Sequence, residues 1–550
     1  MHPRRRTARW LAIVAALVLV VGACGDDDDG DGGTASPTSV AGGQGTTTSA
    51  GPATTAEPDD FDPAGVLRVG DLLAATGGGI NFDPINNTAY ASWRYMKAIY
   101  GSLLTRNADG SYRPDLATDW EIVDPRTVEL DLREGVQFQD GTPFDAEAVR
   151  FNLIRARDAA AQSFSFSAEL KLLDDVEIVD AHKVRLKLRE PVAGWLFSAG
   201  RPFFSSPETL MPSPAAVQAG LATKPVGAGA FEFVSYTPES ELVLQKSDTY
   251  WDADNVRLAE VRFVYVAPGP AQSLALRSGE VDIIANLSSS QVPEIESVDD
   301  LEVEATVTGR QFWAIYFCKA IPPFDDVRIR KALNYAIDRE AIIAAAFRGF
   351  GEPIDGLLPE GHPFHVPELD DHFAYDPDRA RQLLAEAGAE NVEFTLMYSP
   401  SSVPGDTIAE ILRSQLAEVG MTVNFRPVQN LVAEFFAVPN VANGALTPGN
   451  DYGITDLTPG GIGNACAYDN PTLNALVADI KAALPDSDEQ YDLIAEYQRY
   501  IVEDEALVAW LVWTAEVFGW QDERVDGVDY QLGPFPAPRE LLLSSLYIER

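Results

Sequence analysis

The chain has 550 residues and a formal net charge of −42 at pH 7, and 46% of its residues are hydrophobic. This length and apolar content predict two or three globular domains. The strong negative charge argues against binding to nucleic acid or to anionic lipid surfaces, because contacts with phosphate require clustered lysine and arginine.

The N-terminal segment is predicted to be an export signal. Four arginines within the first nine residues precede an apolar run over 10–21. These twelve residues are too few for a membrane-spanning helix, which needs about 20. The residues Val21-Gly22-Ala23-Cys24 resemble the lipobox of bacterial lipoproteins. The resemblance implies a signal peptide over 1–23, lipid on Cys24 and anchoring at the outer face of the cytoplasmic membrane. An ordinary signal peptide beside an incidental cysteine is the alternative.

Residues 24–60 are predicted to form a lipidated, disordered tether. After Cys24 the segment consists almost wholly of Gly, Ser, Thr, Ala, Pro and acidic residues, and it contains no aromatic residue. Such a composition cannot bury enough apolar surface to offset the entropy lost on folding. As a flexible coil it would reach roughly 30–35 Å. The tether therefore separates the folded part of the protein from the membrane.

Two later segments are near repeats, and each is predicted to form a hairpin. EIVDPRTVELDLREG at 121–135 and EIVDAHKVRLKLREP at 177–191 agree at nine of fifteen positions. Apolar and polar residues alternate in both after a turn, which is typical of half-buried strands. A helix from Ala146 to Asp158, capped by Asp145, is predicted between them. An α+β subdomain is therefore expected over 106–221.

The second half of the chain alternates predicted helices and strands. A helix begins at Asp376-Pro377 and ends at Gly388, and it is followed by the strand NVEFTLMY, the helix DTIAEILRSQLAEVG and the strand TVNFRPV. This order implies parallel strands covered by helices. An α/β lobe is therefore expected over about 318–519.

Several segments, taken in order, resemble the extracytoplasmic solute-binding proteins of the peptide, opine and nickel class of ATP-driven importers, known as family 5. The carrying segments include DGSYRPDLATDWEI, LREGVQFQDGTPFDAEAVRF, KPVGAGAF, TYWDAD, LRSGEVDI, PPFDDVRIRKALNYAIDRE and DPDRARQLLAEAG. Each segment is a weak signal alone, but together they cover essentially all of 62–550. The chain is therefore identified by resemblance as a member of this family, similar to oligopeptide- and dipeptide-binding proteins.

The resemblance implies an α/β, two-lobed periplasmic-binding-protein fold of type II, similar to cluster C, with an extra α+β subdomain in the first lobe. Lobe I would comprise 62–105, 222–317 and 520–550, the extra subdomain 106–221, and lobe II 318–519. Strands near 310–317 and 515–521 would cross between the lobes, and Gly227 and Gly229 would bracket a bend in the chain. A ligand that binds the closed state better would close the lobes by a hinge motion.

Cys318 and Cys466 are the only cysteines after Cys24. In an oxidising compartment an even pair predicts a disulfide, with two buried free thiols as the alternative. Some members of the family carry a disulfide that joins the beginning of the second lobe to its later part. That resemblance favours a bond between Cys318 and Cys466.

The resemblance also suggests ligand-binding residues. Peptide-binding relatives pair the α-amino group of the ligand with an aspartate of the second lobe, often near a tryptophan. The corresponding stretch, GNDYGITDLTPGGIGNACAYDNPTLNALV, offers Asp451 and Asp456 but contains no tryptophan. Asp456 is the favoured candidate, with loop capping as the alternative. Trp313 and Tyr316 lie on the proposed crossing strand, where either ligand stacking or core packing would suit them.

A second set of candidates could bind a metal. His362, His365 and His372 lie within eleven residues, together with Asp370 and Asp371. Imidazole and carboxylate groups are suitable ligands for zinc or nickel. Three prolines in the same stretch instead indicate an irregular surface loop, in which polar residues are common. An irregular surface loop is therefore the favoured interpretation, and a metal site is the alternative.

The sequence contains no Gly-x-Ser-x-Gly elbow, His-Glu-x-x-His motif, Walker loop or Cys-x-x-Cys pair, so we expect neither catalysis nor a cofactor. The predicted function is that of a monomeric, lipid-anchored substrate-binding protein of an ABC importer. It would capture a peptide-like small solute by hinge closure and deliver it to the membrane permease, touching the membrane only through its anchor. The alternatives are a protein that binds nickel or a metal chelate, and a surface sensor or interaction protein that no longer serves transport.

Overall fold

The computed structural model describes most of the chain after residue 60. The described residues are 61–71, 80–86, 93–106, 112–160, 168–192, 209–221, 224–354, 357–358, 362, 364–389, 391–399, 403–428, 431, 434, 444–450, 454, 456–459, 461, 463–464, 466–483, 487–526 and 546–548. The predicted signal peptide, the tether, Cys24 and Asp451 lie outside them. None of the helices in these ranges combines the length and hydropathy that a membrane crossing requires.

The strands follow one another along the whole described chain. They are β1 (Val66–Asp71), β2 (Leu104–Arg106), β3 (Tyr112–Pro114), β4 (Ala117–Asp124), β5 (Thr127–Leu132), β6 (Leu173–Asp180), β7 (Lys183–Leu188), β8 (Phe231–Thr237), β9 (Glu241–Lys246), β10 (Glu260–Tyr265), β11 (Ile283–Ile284), β12 (Leu301–Phe317), β13 (Gly351–Pro353), β14 (Val392–Tyr398), β15 (Met421–Pro427), β16 (Gly444–Asn450), β17 (Val508–Gln521), β18 (Val525–Asp526) and β19 (Tyr547–Ile548).

The helices lie between these strands. They are α1 (Trp93–Tyr100), α2 (Ala146–Ala160), α3 (Pro214–Ala219), α4 (Pro270–Ser278), α5 (Val292–Ile295), α6 (Val327–Tyr335), α7 (Arg339–Phe347), α8 (Pro377–Ala387), α9 (Val403–Glu418), α10 (Pro471–Ala482) and α11 (Asp488–Arg499). A π-helical turn, Tyr500–Asp504, continues α11.

One mixed sheet organises the described chain. Its strand order is β15-β14-β16-β12-β17-β11-β1-β10-β9-β8, and β13 also pairs with β17. One end of the sheet contains β14, β15 and β16, which are parallel, and the other end contains β1, β10 and β11, which are also parallel. The long strands β12 and β17 are antiparallel and connect the two ends. The predicted lobe boundaries themselves stay a prediction.

The pairing between β12 and β17 is interrupted near its centre. Val307 pairs with Ala515, and pairing resumes only between Phe312 and Trp513. Residues 308–311 of β12 therefore lie opposite the single residue Thr514, whose hydroxyl donates to the Gln311 carbonyl at 3.3 Å. An irregularity of this kind removes ladder hydrogen bonds and bends the strand.

A second, antiparallel sheet has the strand order β4-β5-β7-β6. It contains both near repeats, because β4 pairs with β5 and β6 pairs with β7, and the two hairpins meet along β5 and β7. The predicted hairpins are confirmed. Helix α2 lies between them in the sequence as predicted, and the Asp145 carboxylate caps it by accepting from the Ala148 N–H at 3.0 Å.

The helix–strand alternation predicted for the second half is also confirmed. Asp376 caps α8, which ends at Gly388 in the left-handed conformation. Strands β14 and β15 pair in parallel, with α9 between them along the chain. Residues of α6, α7, α8 and α9 pack with this end of the sheet in one apolar core. A separate apolar core covers the β1–β10 end.

The chain bends at 228–230, as predicted around Gly227 and Gly229, and both glycines also pack closely on another segment. An added Cβ would lie 2.3 Å from the Ile99 carbonyl oxygen at Gly227 and 2.3 Å from the Ala98 carbonyl oxygen at Gly229. The segment therefore packs directly on the backbone of α1. Glycine is needed here because no side chain fits between the two chain segments.

Candidate ligand-binding site

Four aromatic rings form a wall on one face of β12 and β17. The Phe312 ring lies 5.2 Å from that of Trp510 and 5.3 Å from that of Trp513, and Tyr316 lies 6.2 Å from Trp510, all edge to face. Alternate residues of a strand share a face, which places Phe312 and Tyr316 together. We call these four residues the aromatic wall. They are buried and pack in one apolar cluster with Ile454 and Leu457.

The loop that follows β16 lies against this wall. Asn464 organises the loop, because its amide donates to the carbonyls of Leu457 at 3.0 Å and Tyr468 at 2.7 Å. Its side-chain oxygen accepts from the Tyr468 N–H at 2.8 Å. At Gly463 an added Cβ would lie 2.7 Å from the Tyr316 ring. The loop therefore approaches the aromatic wall too closely for any side chain at that position.

Asp456, the favoured ligand residue, belongs to this loop. We call the described residues between Asp456 and Asp469 the Asp456 loop. Its carbonyl accepts from the Gly463 N–H at 2.9 Å, and its residue surface is 3% exposed. The carboxylate is thus held on the segment that contacts Tyr316. Carboxylates and the faces of aromatic rings are both groups to which a cation binds in proteins. The arrangement is chemically suited to an ammonium group attached to an apolar body.

The structure separates the two aromatic candidates on β12. Tyr316 belongs to the aromatic wall beside the Asp456 loop. Trp313 lies in the core formed by α6, α7, α8 and α9, together with Ile315 and Phe317. Of the two alternatives left open for both residues, core packing describes Trp313, and Tyr316, which is 6% exposed, also packs in an apolar cluster but beside the Asp456 loop. Strand alternation explains the separation, because neighbouring residues point to opposite faces.

Cys318 and Cys466 are joined as a disulfide, with 5.3 Å between their Cα atoms. Cys318 follows β12 directly, and Cys466 lies in the Asp456 loop. The bond links two segments that are 148 residues apart in the sequence. It therefore ties the loop to the end of the strand that carries Tyr316.

A cluster of charged residues lies beside the disulfide. Lys319 is 3% exposed, its ammonium lies 3.4 Å from the Leu507 carbonyl, and it lies 5.9 Å from the centre of the Tyr468 ring. The neighbouring Arg330 is bonded to the Glu505 carboxylate at 2.9 Å. Burial, and then repulsion from Arg330, lowers the pKa of Lys319 to about 7.

The sequence predicted neither this cluster nor three of the four residues of the aromatic wall, Phe312, Trp510 and Trp513. Arg330 lies in a segment that carries only the resemblance to the family, and Lys319 precedes that segment. Nothing in the sequence marks Glu505 as the partner of Arg330. Trp510 and Trp513 precede the stretch proposed to cross between lobes. One signal in the sequence could have identified Phe312. Alternate residues of a strand share a face, which places Phe312 on the same face of β12 as Tyr316.

The three histidines have different partners. His362 accepts from the Phe364 N–H at 3.1 Å, and His365 lies 3.2 Å from the Asp370 carboxylate. His372 lies 3.5 Å from the Glu503 carboxylate. Within the described ranges no three His, Cys, Asp or Glu side chains come together as a metal site. The predicted metal alternative therefore gains no support from this geometry.

Comparison with known proteins gives a consistent result. Residues 111–462 match the model of the bacterial extracellular solute-binding proteins, family 5. The glutathione-binding protein GsiB of Escherichia coli K12 is 29% identical over 357 residues, which cover 64% of this chain and 68% of that protein. The GsiB of Pectobacterium atrosepticum is 30% identical over 361 residues, with the same coverage.

Solved structures share the fold. AgaA of A. tumefaciens R10, in complex with agropinic acid, superposes with a TM-score of 0.74 at 23% identity and covers 88% of this chain and 99% of its own. DppA of Helicobacter pylori, in complex with the peptide STSA, gives 0.71 at 21% identity and covers 89% and 99%. These likenesses confirm the predicted two-lobed α/β fold of type II.

Proposed function

We propose that this chain, which belongs to the bacterial extracellular solute-binding proteins of family 5, captures a short peptide or a closely related amphiphilic molecule outside the cytoplasm. Members of the family bind peptides or related solutes for ABC importers and are not enzymes. The permease of such an importer is therefore the membrane partner. Family membership does not identify the solute, so the peptide-like ligand is the proposal made here.

The substrate class is supported by the Asp456 loop. A buried carboxylate beside the aromatic wall suits the α-amino group of a peptide, with the rings of Tyr316 and Trp510 beside the first side chain. The two curated relatives described above are named for binding glutathione, which is a tripeptide. Di- and tripeptides, with glutathione among them, are therefore the first ligands to test.

The mode of action follows from the sheet. The ends of the sheet share β12 and β17, and we propose that they belong to two lobes that close on the ligand. Lobe I would comprise 62–105, 222–317 and 520–550, with 106–221 as an added subdomain, and lobe II 318–519. Asp456 of lobe II and Tyr316, at the end of the crossing strand β12, would both contact the ligand.

The anchor is the remaining part of the proposal. Cleavage before Cys24 and lipidation of its thiol would hold the protein at the outer face of the cytoplasmic membrane. Acyl chains contribute about 0.8 kcal/mol per buried CH2, so several chains on one cysteine give stable attachment. The tether over 24–60 would leave the folded part free to reach the permease. Mass spectrometry of the membrane fraction should find a triacylated or diacylated Cys24, and a soluble protein with an unmodified Cys24 would contradict anchoring.

Two measurements test the ligand class. Native mass spectrometry of protein purified from its own cells should recover a bound small peptide. Calorimetry with di- and tripeptides should then show binding that Asp456→Asn weakens by about 10- to 100-fold, the cost of losing a hydrogen bond between charged groups.

Asp469→Asn is the matched control, because Asp469 is an exposed aspartate of the same loop that bonds Asn474 at 2.7 Å. It removes the same charge and should leave affinity within about twofold. Equal affinities for the two variants, or a retained ligand without a basic amine, would rule out the proposed role of Asp456.

A further inference from the structure

Lys319 is a buried cation that the proposed function leaves unused. It follows Cys318 at the end of β12, and its residue surface is 3% exposed. Its ammonium lies 3.4 Å from the Leu507 carbonyl oxygen. Within the part of the chain that the structure describes, no carboxylate forms an ion pair with it. Water solvates an exposed ammonium but not this one, so the charged form of Lys319 is costly inside the protein.

The charged groups around Lys319 do not balance its charge. On α6 the Arg330 guanidinium is buried, and it is bonded to the Glu505 carboxylate at 2.9 Å. Asp325 and Asp326, which precede α6, also attract Arg330. We call Lys319, Arg330 and Glu505 the Lys319 cluster. The cluster carries one net positive charge while Lys319 is protonated and none after Lys319 loses its proton.

The Asp456 loop contacts the Lys319 cluster at two points. The centre of the Tyr468 ring lies 5.9 Å from the Lys319 ammonium. The disulfide attaches the residue before Lys319 to Cys466 of the same loop. Within the loop, Asn464 bonds the backbone of Tyr468 and the carbonyl of the residue next to Asp456. A short series of contacts therefore joins Lys319 to the candidate ligand carboxylate.

Lys319 is the group of this cluster whose charge changes near neutral pH. Burial, and then repulsion from Arg330, lowers its pKa to about 7. Burial raises the pKa of the Tyr468 phenol above its usual range, so this ring stays neutral. The Tyr468 hydroxyl accepts from the Asn470 amide at 3.4 Å, and the Asn470 amide oxygen accepts from the Tyr500 hydroxyl at 3.1 Å. These hydrogen bonds fix the ring beside Lys319.

A bound ligand would change the charge next to this cluster. In the proposed function the ammonium group of the ligand pairs with Asp456 and so cancels the attraction of this carboxylate for Lys319. A like charge near a lysine also disfavours its charged form. Closure around the ligand would remove water, which strengthens every remaining charge interaction. These effects favour the neutral amine of Lys319 in the bound state.

We propose that capture of an ammonium-bearing ligand at the Asp456 loop releases a proton from Lys319. The proton passes to the solvent, and the side chain remains as a neutral amine. The release depends on the proposed function, because only a ligand whose cation binds at Asp456 exerts the effect. By linkage, the ligand binds more tightly where Lys319 is already neutral. Its affinity should therefore rise with pH up to about 7 and then level off.

Calorimetry on the full mature protein measures the proton release. The probes are trialanine and S-methylglutathione, because neither has a free thiol that could reduce the disulfide. Titrations at pH 7 in phosphate and in imidazole buffer, whose ionisation enthalpies differ, give the number of protons released for each peptide bound. The wild type should release up to about half a proton, because Lys319 is about half protonated at this pH. Lys319→Met should release none.

Lys331→Met is the matched control. Lys331 is the neighbour of Arg330 on α6 and is only partly buried, so this variant removes the same charge without touching Lys319. Its proton count should equal that of the wild type. Between pH 5.5 and 7, where the α-amino group of a peptide stays largely charged, affinity should rise about three- to tenfold in both proteins. Lys319→Met should show a flat profile over this range.

Proton release by the wild type and Lys331→Met, but not by Lys319→Met, supports the proposal. Equal binding heats in the two buffers overturn it, and this result needs only the wild type, so it holds even where Lys319→Met does not fold. Equal proton release by Lys319→Met and the wild type also overturns it. Binding without proton release leaves the proposed function intact, whereas failure of both peptides to bind contradicts that function and the proton release together.

Discussion

Asp282 illustrates how a buried charge is held in this protein. Its carboxylate is fully buried and accepts from the backbone and side chain of Arg68 and from Arg524, at 2.6 to 3.1 Å. The partners lie 214 and 242 residues away in the sequence. No local pattern could have indicated this network, because it exists only once β1, β11 and β17 are side by side.

Asp282→Asn should lower the free energy of unfolding by about 1–3 kcal/mol, because a neutral amide replaces a buried carboxylate that accepts charged hydrogen bonds from Arg68 and Arg524, whose side chains are 31% and 39% exposed. Urea unfolding followed by circular dichroism measures the change. Asp175→Asn is the control, because the pair of Asp175 with Arg150 is about half exposed and should contribute less than about 1 kcal/mol. A loss at Asp282 no larger than at Asp175 would contradict the assigned role.

Lys319 makes stability depend on pH. Its pKa is lowered by burial from 10.5 to about 7 in the folded protein, while in the unfolded chain it keeps the ordinary value. Between these two values the unfolded state binds more protons, so stability rises with pH. Below about pH 7 both states carry the ammonium, and the cost of burying it is fully present.

Lys319→Met should therefore reduce the pH dependence of unfolding between pH 7 and 10.5. The slope should fall by up to about 1.4 kcal/mol per pH unit. Urea unfolding of both proteins at pH 6, 7.5 and 9 measures the difference. Parallel curves for the wild type and the variant would show that Lys319 does not titrate in this range.

At the scale of elements, prediction succeeded where the determining contacts are local. The two hairpins, the cap of α2 by Asp145 and the end of α8 at Gly388 depend on residues a few positions apart, and the structure confirms all three. The bend near Gly227 was predicted, but its close packing on the backbone of α1 was not, because the two segments are remote in sequence.

Gly227→Ala tests that close packing. The new methyl group would overlap the backbone of Ile99 and Tyr100, which cannot move as a side chain can, so we expect a loss of at least about 1–3 kcal/mol. Gly135→Ala is the comparison, because Gly135 has a φ of 75° but nothing within 4 Å of an added Cβ. Only the left-handed backbone cost of about 1–2 kcal/mol should appear there. Thermal unfolding compares the two, and wild-type stability of Gly227→Ala would contradict the packing.

The disulfide gives a second prediction at this scale. Replacing both Cys318 and Cys466 by serine should destabilise the protein by about 2–5 kcal/mol and abolish its sensitivity to reducing agents. It should also weaken ligand binding, because the Asp456 loop loses its covalent link to β12. Calorimetry with and without dithiothreitol checks both effects. Identical stability of the reduced wild type and its oxidised form would show that the bond contributes nothing.

At the scale of the whole molecule, the ordered series of family segments predicted the fold, which the solved structures confirm. The family segments did not predict which side chains form the candidate ligand-binding site. The aromatic wall needs Trp510 beside Phe312, a proximity that depends on the register of β12 against β17. A single sequence does not reveal the register of two strands that are so far apart in the chain. It does reveal the alternation within β12 that places Trp313 in the opposite core.

Ligand binding should compact the protein. If β12 and β17 link two lobes, a bound peptide favours the closed arrangement and the radius of gyration should fall. Small-angle scattering with and without ligand measures this change. Asp456→Asn at the same ligand concentration should remain extended, and a bound state with an unchanged scattering curve would exclude closure.

The interrupted pairing at 308–311 has a mechanical consequence. A regular ladder of backbone hydrogen bonds is stiff, and flexing it stretches every rung. Between residues 308 and 311 of β12 the pairing with β17 is interrupted. A change of angle between the two ends of the sheet therefore strains few backbone hydrogen bonds there. The same two strands can therefore stay paired on either side of this interruption and still bend at it.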